Sequence, residues 1–128
     1  MILLTIEELQ LLHRKLIVAT GGSDGVREYG LLESAVNSMY AGYGDVEQYP
    51  TVEEKAARLA FSLVSNHAFV DGNKRIGVLA LLMTLKLNDI DISYTQTDLI
   101  QLGLNTAKGE YRYDDIYQWI RNHKADQG

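Results

Sequence analysis

Apolar residues along the chain recur at steps of three and four, the spacing that gathers them on one face of a helix. From Thr5 to about Val18, Ile6, Leu9, Leu12, Leu16 and Ile17 share such a face, and Thr5 followed by Glu8 supplies a capping box at its head. The glycine-rich "GGSDG" at 21–25 ends that helix in a loop. A second helix is predicted from about Leu31 to Tyr40, and Gly42, Gly44 and Pro50 then mark a loop. Thr51 with Glu54 forms a second capping box, opening a helix to about Asn66 with Ala56, Leu59, Ala60, Leu63 and Val64 on one side. A long apolar helix is predicted from about Asn73 to Leu87. Then come "NDIDISYTQ", read as a turn and a short isolated extended stretch, and two amphipathic helices, "TDLIQLGLNTAKG" and "YDDIYQWIRNHK". Gly103 weakens the first of these and Gly109 ends it. Helical periodicity accounts for nearly every apolar residue, so the expected fold is all-α, about six helices in one domain over residues 1–128.

Composition narrows the function classes. At 128 residues and 46% hydrophobic the chain supports one core. A net charge of −5 disfavours direct binding to nucleic acid or an anionic membrane, which are held by clustered Lys and Arg. The lack of cysteine removes thiolate chemistry and disulfides and fits a cytoplasmic setting. "MILLTIEELQLL" carries Glu7 and Glu8 where a secretory leader would be uncharged, and the apolar run Ile76–Leu87 is shorter than the roughly 20 residues of a membrane span. Both read as helices of a soluble domain.

One short segment departs from this pattern. "HAFVDGNKR", residues 67–75, breaks two apolar helices with His67, Asp71, Asn73, Lys74 and Arg75. It places Asn73, Lys74 and Arg75 in the first turn of a helix, where backbone N–H groups are unpaired and the helix dipole attracts anions. Two cations there are electrostatically misplaced unless an anion binds between them and the dipole. Gly72 clears the backbone for close approach of a phosphate, and Asp71 is placed to hold Mg²⁺ through oxygen. His67 is a group able to take a proton near neutral pH, and Phe69 an apolar anchor for the loop. Taken singly, each of these residues is ordinary for an interhelical loop; together they point to phosphate chemistry. GxxxxGK[ST] and GxGxxG runs are absent. His13 and His123 lack metal-ligand spacing and read as surface or helix-end residues.

At these residues the sequence resembles the Fic/Doc superfamily, in its death-on-curing (Doc) toxin branch. His67, Phe69, Asp71, Gly72, Asn73 and Arg75 match the Fic pattern; Lys74 replaces its second glycine and Val78 its final arginine, as in the Doc branch. "GVREYGLLESAV", "YPTVEEKAARLAFSLVSNHAF" and "TAKGEYRYDDIYQWI" are similar to Doc segments too. The resemblance implies a compact single-domain Fic fold and a toxin of a type II toxin–antitoxin pair. It implies an ATP- and Mg²⁺-dependent protein kinase that moves the γ-phosphate to a threonine of elongation factor Tu and arrests translation. Adenylylation of a protein hydroxyl, the usual Fic reaction, is the alternative, and a catalytically inactive binding module a further one.

Under the resemblance His67 is the general base, Asp71 holds Mg²⁺, and Asn73, Lys74 and Arg75 with the backbone at Gly72 form the anion hole. By chain order the Gly42–Pro50 loop corresponds to the flap that aligns the target. The self-silencing motif [S/T]-x-x-x-E-[G/N] has no full match: Thr106 and Glu110 are followed by Tyr111. Silencing then falls to a cognate antitoxin, whose disordered tail folds into a groove of the toxin.

Overall fold

Side-chain caps decide where several of the helices begin. In the computed structural model, which describes residues 1–125, Thr5 caps α1 (Ile6–Thr20): its hydroxyl accepts from Glu8 N–H at 3.1 Å, and the Glu8 carboxylate accepts from Thr5 N–H at 3.0 Å. Helix α2 (Tyr29–Asn37) follows, two residues earlier than its periodicity indicates, and residues 38–40 form a 3-10 turn where the sequence reads as continuing helix. Thr51 and Glu54 cap α3 (Val52–Asn66) reciprocally. Helix α4 runs Asn73–Leu87, α5 Gln96–Ala107 and α6 Tyr113–His123. Helix α5 has its own box, Thr95 with Asp98, in which a short aspartate replaces the Glu or Gln of the usual pattern.

The mostly helical fold expected from the sequence is the one observed, with one addition. Gly42–Tyr43 (β1) and Val46–Glu47 (β2) pair antiparallel, Gly42 opposite Glu47, making a small hairpin within the Gly42–Pro50 loop. Its two-residue strands are exposed on both faces and so carry no hydrophobic alternation. Lys55 fastens it: this lysine, 1% exposed, donates from Nζ to Met39 O at 2.9 Å and pairs with Glu47 at 3.0 Å. The stretch after α4 is extended as expected: Ile92 bridges Lys124, with Ser93 N–H donating to His123 O at 2.7 Å.

Helices α3 and α4 form the central layer, and each contributes to two cores. On one side Leu59, Leu63, Ile76 and Ala80 meet Leu9 of α1, Leu32 and Val36 of α2, and Phe69. On the other, Ala56, Ala57, Ala60, Leu81 and Leu85 meet Leu102 of α5 and Ile116, Trp119 and Ile120 of α6. Gly77 lets the central pair approach closely, since a Cβ there would lie 2.5 Å from Val64 Cγ2 and 3.2 Å from Ala60 O. Gly103 serves packing too, buried with α4 side chains within ordinary contact of the Cβ it lacks. No helix among the described residues is long and apolar enough to cross a membrane. The six residues between α3 and α4 emerge from this double core.

Candidate functional site

Helix α3 ends on His67 in the left-handed conformation (φ 50°, ψ 48°), which turns the chain sharply away from the helix axis. Ala68 and Phe69 then plug into the core, 0% and 1% exposed, so the loop is seated by the apolar anchor its sequence suggests. Asn73 clasps it: Phe69 N–H donates to Asn73 Oδ1, and Asn73 Nδ2 donates to Phe69 O, both at 3.0 Å. The Asn73 side chain therefore shapes the loop.

Asp71 accepts from Gly72 N–H at 2.8 Å on Oδ1 and from Ser23 N–H at 3.2 Å on Oδ2, with Arg75 Nη2 3.7 Å away. The Ser23 and Gly72 N–H groups, then the charges of Arg75 and His13, hold its carboxyl below the usual carboxylate range. It is a half-exposed, ionised oxygen donor. One such carboxylate, with phosphate oxygens and water completing the shell, is the usual protein contribution to a Mg²⁺–nucleotide site, so the donor set fits that ion. Among the described residues no cluster of three His, Cys, Asp or Glu side chains offers an all-protein metal site.

Gly72 is the N-cap of α4 with φ 77°, a conformation that favours glycine, and no side chain caps the helix. The first backbone bond of α4 is Ile76 N–H to Gly72 O at 2.9 Å, so the N–H groups of residues 73–75 have no carbonyl within the helix. Lys74 is exposed, and among the described residues no carboxylate pairs with it. Arg75 is differently employed: Nη1 donates to Thr20 Oγ1 and to Gly21 O at 3.0 Å, tying α4 to the end of α1.

Three of the six predicted residues line two separate hollows, and Asp71, Gly72 and Asn73 line neither. His67 lines one of about 340 Å³ with Phe61, Ser65, Thr106 and Arg112. Lys74 and Arg75 stand with Thr20 at one end of an open groove of about 510 Å³ between α1, α4 and α5, whose floor is Leu16, Val78, Leu82, Leu99 and Leu104.

Sequence reasoning missed a strap that braces the loop. Residues 22–28, of which 21–25 are read from the sequence only as a loop ending α1, pair with it: Val26 bridges Phe69, Val70 N–H donates to Gly25 O at 3.0 Å, and Ala68 O accepts from Arg27 and Glu28 N–H. Arg27 also donates from Nε to His67 O at 2.8 Å and from Nη2 to Asn66 O at 3.3 Å, covering carbonyls at the end of α3. Gly22 is favoured here by its φ of 116°, and a Cβ at that position would push the Asp71 carboxylate aside.

His13 corrects a sequence expectation. It is 1% exposed rather than at the surface, donates from Nε2 to Asp71 O at 2.7 Å, and stacks on Phe69 with ring centroids 3.9 Å apart. The available signal was its place between Leu9 and Ile17 on the buried face of α1, where a polar residue needs a partner. His123 does lie at a helix end, against Trp119.

Two comparisons bear on this site. The family model described as the Fic/DOC family matches residues 3–85, which include the whole loop and its strap. The protein named Toxin Doc of Mycolicibacterium smegmatis is 43% identical over 76 residues, 59% of this chain and 58% of that protein.

Proposed function

The chain belongs to the Fic/DOC family, and from that premise we propose that it is the toxin of a toxin–antitoxin pair that transfers the γ-phosphate of ATP to a threonine of a protein target, elongation factor Tu by resemblance. The observation that carries this reading is the start of α4: three unpaired N–H groups, no side-chain cap, an exposed Lys74 and an ionised Asp71 next to it. Such an end is suited to a polyphosphate.

In the proposed reaction His67 takes the proton from the threonine hydroxyl as its oxygen bonds to the γ-phosphorus. The bond from that phosphorus to the bridging oxygen breaks, and ADP leaves. The N–H groups of residues 73–75 and the Lys74 ammonium stabilise charge on the transferred group. Asp71 would hold Mg²⁺, which when bound supplies charge neutralisation along the phosphates. Asn73 and Arg75 keep the loop and the helix start in place through the bonds to Phe69, Thr20 and Gly21. Val78 stands in an apolar wall rather than at a phosphate, which favours a nucleotide pose different from that of the AMP-transferring relatives. The groove between α1, α4 and α5, apolar along its floor and cationic at one end, is suited to an amphipathic antitoxin segment bearing acidic residues.

Intact-mass measurement of elongation factor Tu after incubation with the protein, Mg²⁺ and ATP tests this. The expected result is a gain of one phosphate, slowed about 10²- to 10⁴-fold by His67→Ala without loss of thermal stability. A gain of one AMP moves the protein to the adenylylating branch. No gain sinks the target assignment.

A further inference from the structure

A histidine on the buried face of α1 does what the loop's own sequence does not. Its neighbours along that face, Leu9 and Ile17, are aliphatic, and another aliphatic or aromatic residue would fill the volume of His13. The imidazole adds a directed donor. A carbonyl can only accept, so the 2.7 Å contact to Asp71 O places a proton on Nε2 and fixes the face the ring presents to the loop. The same ring lies flat on Phe69, 12° from parallel. With Ile17, it also walls in Gly72: a Cβ there would come 3.1 Å from Ile17 Cδ1 and 3.6 Å from His13 Nε2. One side chain from α1 thus touches the loop at Phe69 and Asp71 and bounds the space beside Gly72. Its Nδ1 is buried without a hydrogen-bond partner, 3.5 Å from the Asp24 carboxylate, whose other oxygen faces Arg14 at 3.4 Å.

We propose that His13 is a positioning residue of the phosphate site. By holding the Asp71 carbonyl, it sets the direction of the Asp71–Gly72 peptide, and with it the Asp71 carboxylate and the open N–H groups of α4. The inference rests on the reading of that helix start as the Mg²⁺–ATP cradle.

The test compares His13→Phe, which keeps ring stacking but has no donor, with His13→Gln, whose amide nitrogen reaches about as far as Nε2. Three quantities are measured: melting temperature, amide hydrogen exchange at residues 69–75, and the dissociation constant for Mg²⁺–ATP by calorimetry. His13→Phe is expected to speed exchange in the loop and to weaken Mg²⁺–ATP binding, each about 10-fold, while exchange elsewhere is unchanged. His13→Gln is expected to restore both to within about 3-fold. His13→Asn, polar but too short to reach Asp71 O, provides the same contrast if the Phe variant does not fold. Wild-type loop exchange and affinity in a folded donorless variant overturn the proposal, as does an equal, global loss of protection in all variants. If the wild-type protein does not bind Mg²⁺–ATP, the cradle reading fails by itself, and the loop-exchange contrast still decides what His13 does.

Discussion

Helices α3 and α4 are each 15 residues long and packed side by side, yet they begin in opposite ways. At the start of α3, Thr51 and Glu54 satisfy each other's backbone N–H groups, and Glu53 and Glu54 set negative charge against the positive end of the dipole. Everything that end requires is in its own sequence. At the start of α4 the cap is a glycine in a left-handed conformation, no side chain accepts from the first turn, and Lys74 and Arg75 add positive charge to the positive end. Carboxylates in a first turn contribute roughly 0.3–1 kcal/mol each, and cations there cost a similar amount. Helix α3 is therefore complete by itself. Helix α4 has no such local cap, and apart from Asp71 next to Arg75 its start is held by contacts from the core and the strap.

Breaking the clasp that holds α4's unusual start should have the largest effect on this contrast. Asn73→Ala removes both bonds to the buried Phe69 peptide groups, and the expected loss is about 2–3 kcal/mol in urea unfolding, with phosphate transfer falling alongside. Making α4 resemble α3 is the sharper experiment. Lys74→Glu should raise stability by about 0.5 kcal/mol through the dipole while weakening Mg²⁺–ATP binding about 10-fold, measured by thermal melting and calorimetry. A variant that gains or keeps affinity would remove Lys74 from the anion site. The mirror change, Thr51→Ala, should cost about 1 kcal/mol of stability and leave Mg²⁺–ATP binding unaltered. If it weakened binding as strongly as Lys74→Glu, the two helix starts would not be functionally distinct.

What could be read in advance follows the range of the interaction involved. The bounds of α3 and α4 were legible because a cap, an apolar period and a glycine act within a few residues of one another. The hairpin at 42–47 was not, since its exposed two-residue strands have no apolar alternation and depend on Lys55 from another element. The same division runs through the site. His67, Asp71, Gly72, Asn73, Lys74 and Arg75 declare themselves as a polar interruption between apolar helices. The actual employment of Asn73 and Arg75 does not, because their partners at Phe69, Thr20 and Gly21 are set by how the loop folds and where α1 ends.

The sequence by itself determined six helical segments and the polar interruption between α3 and α4, since helix periodicity, caps and turn glycines are local properties. Tertiary structure alone decided that His13 is buried against Phe69 and Asp71, that Arg27 covers the His67 carbonyl, and that Gly22 makes room for the Asp71 carboxylate. Those contacts join positions 40–58 residues apart in the chain, and only the packing of α1 and its strap against the α3–α4 turn brings them within hydrogen-bond distance.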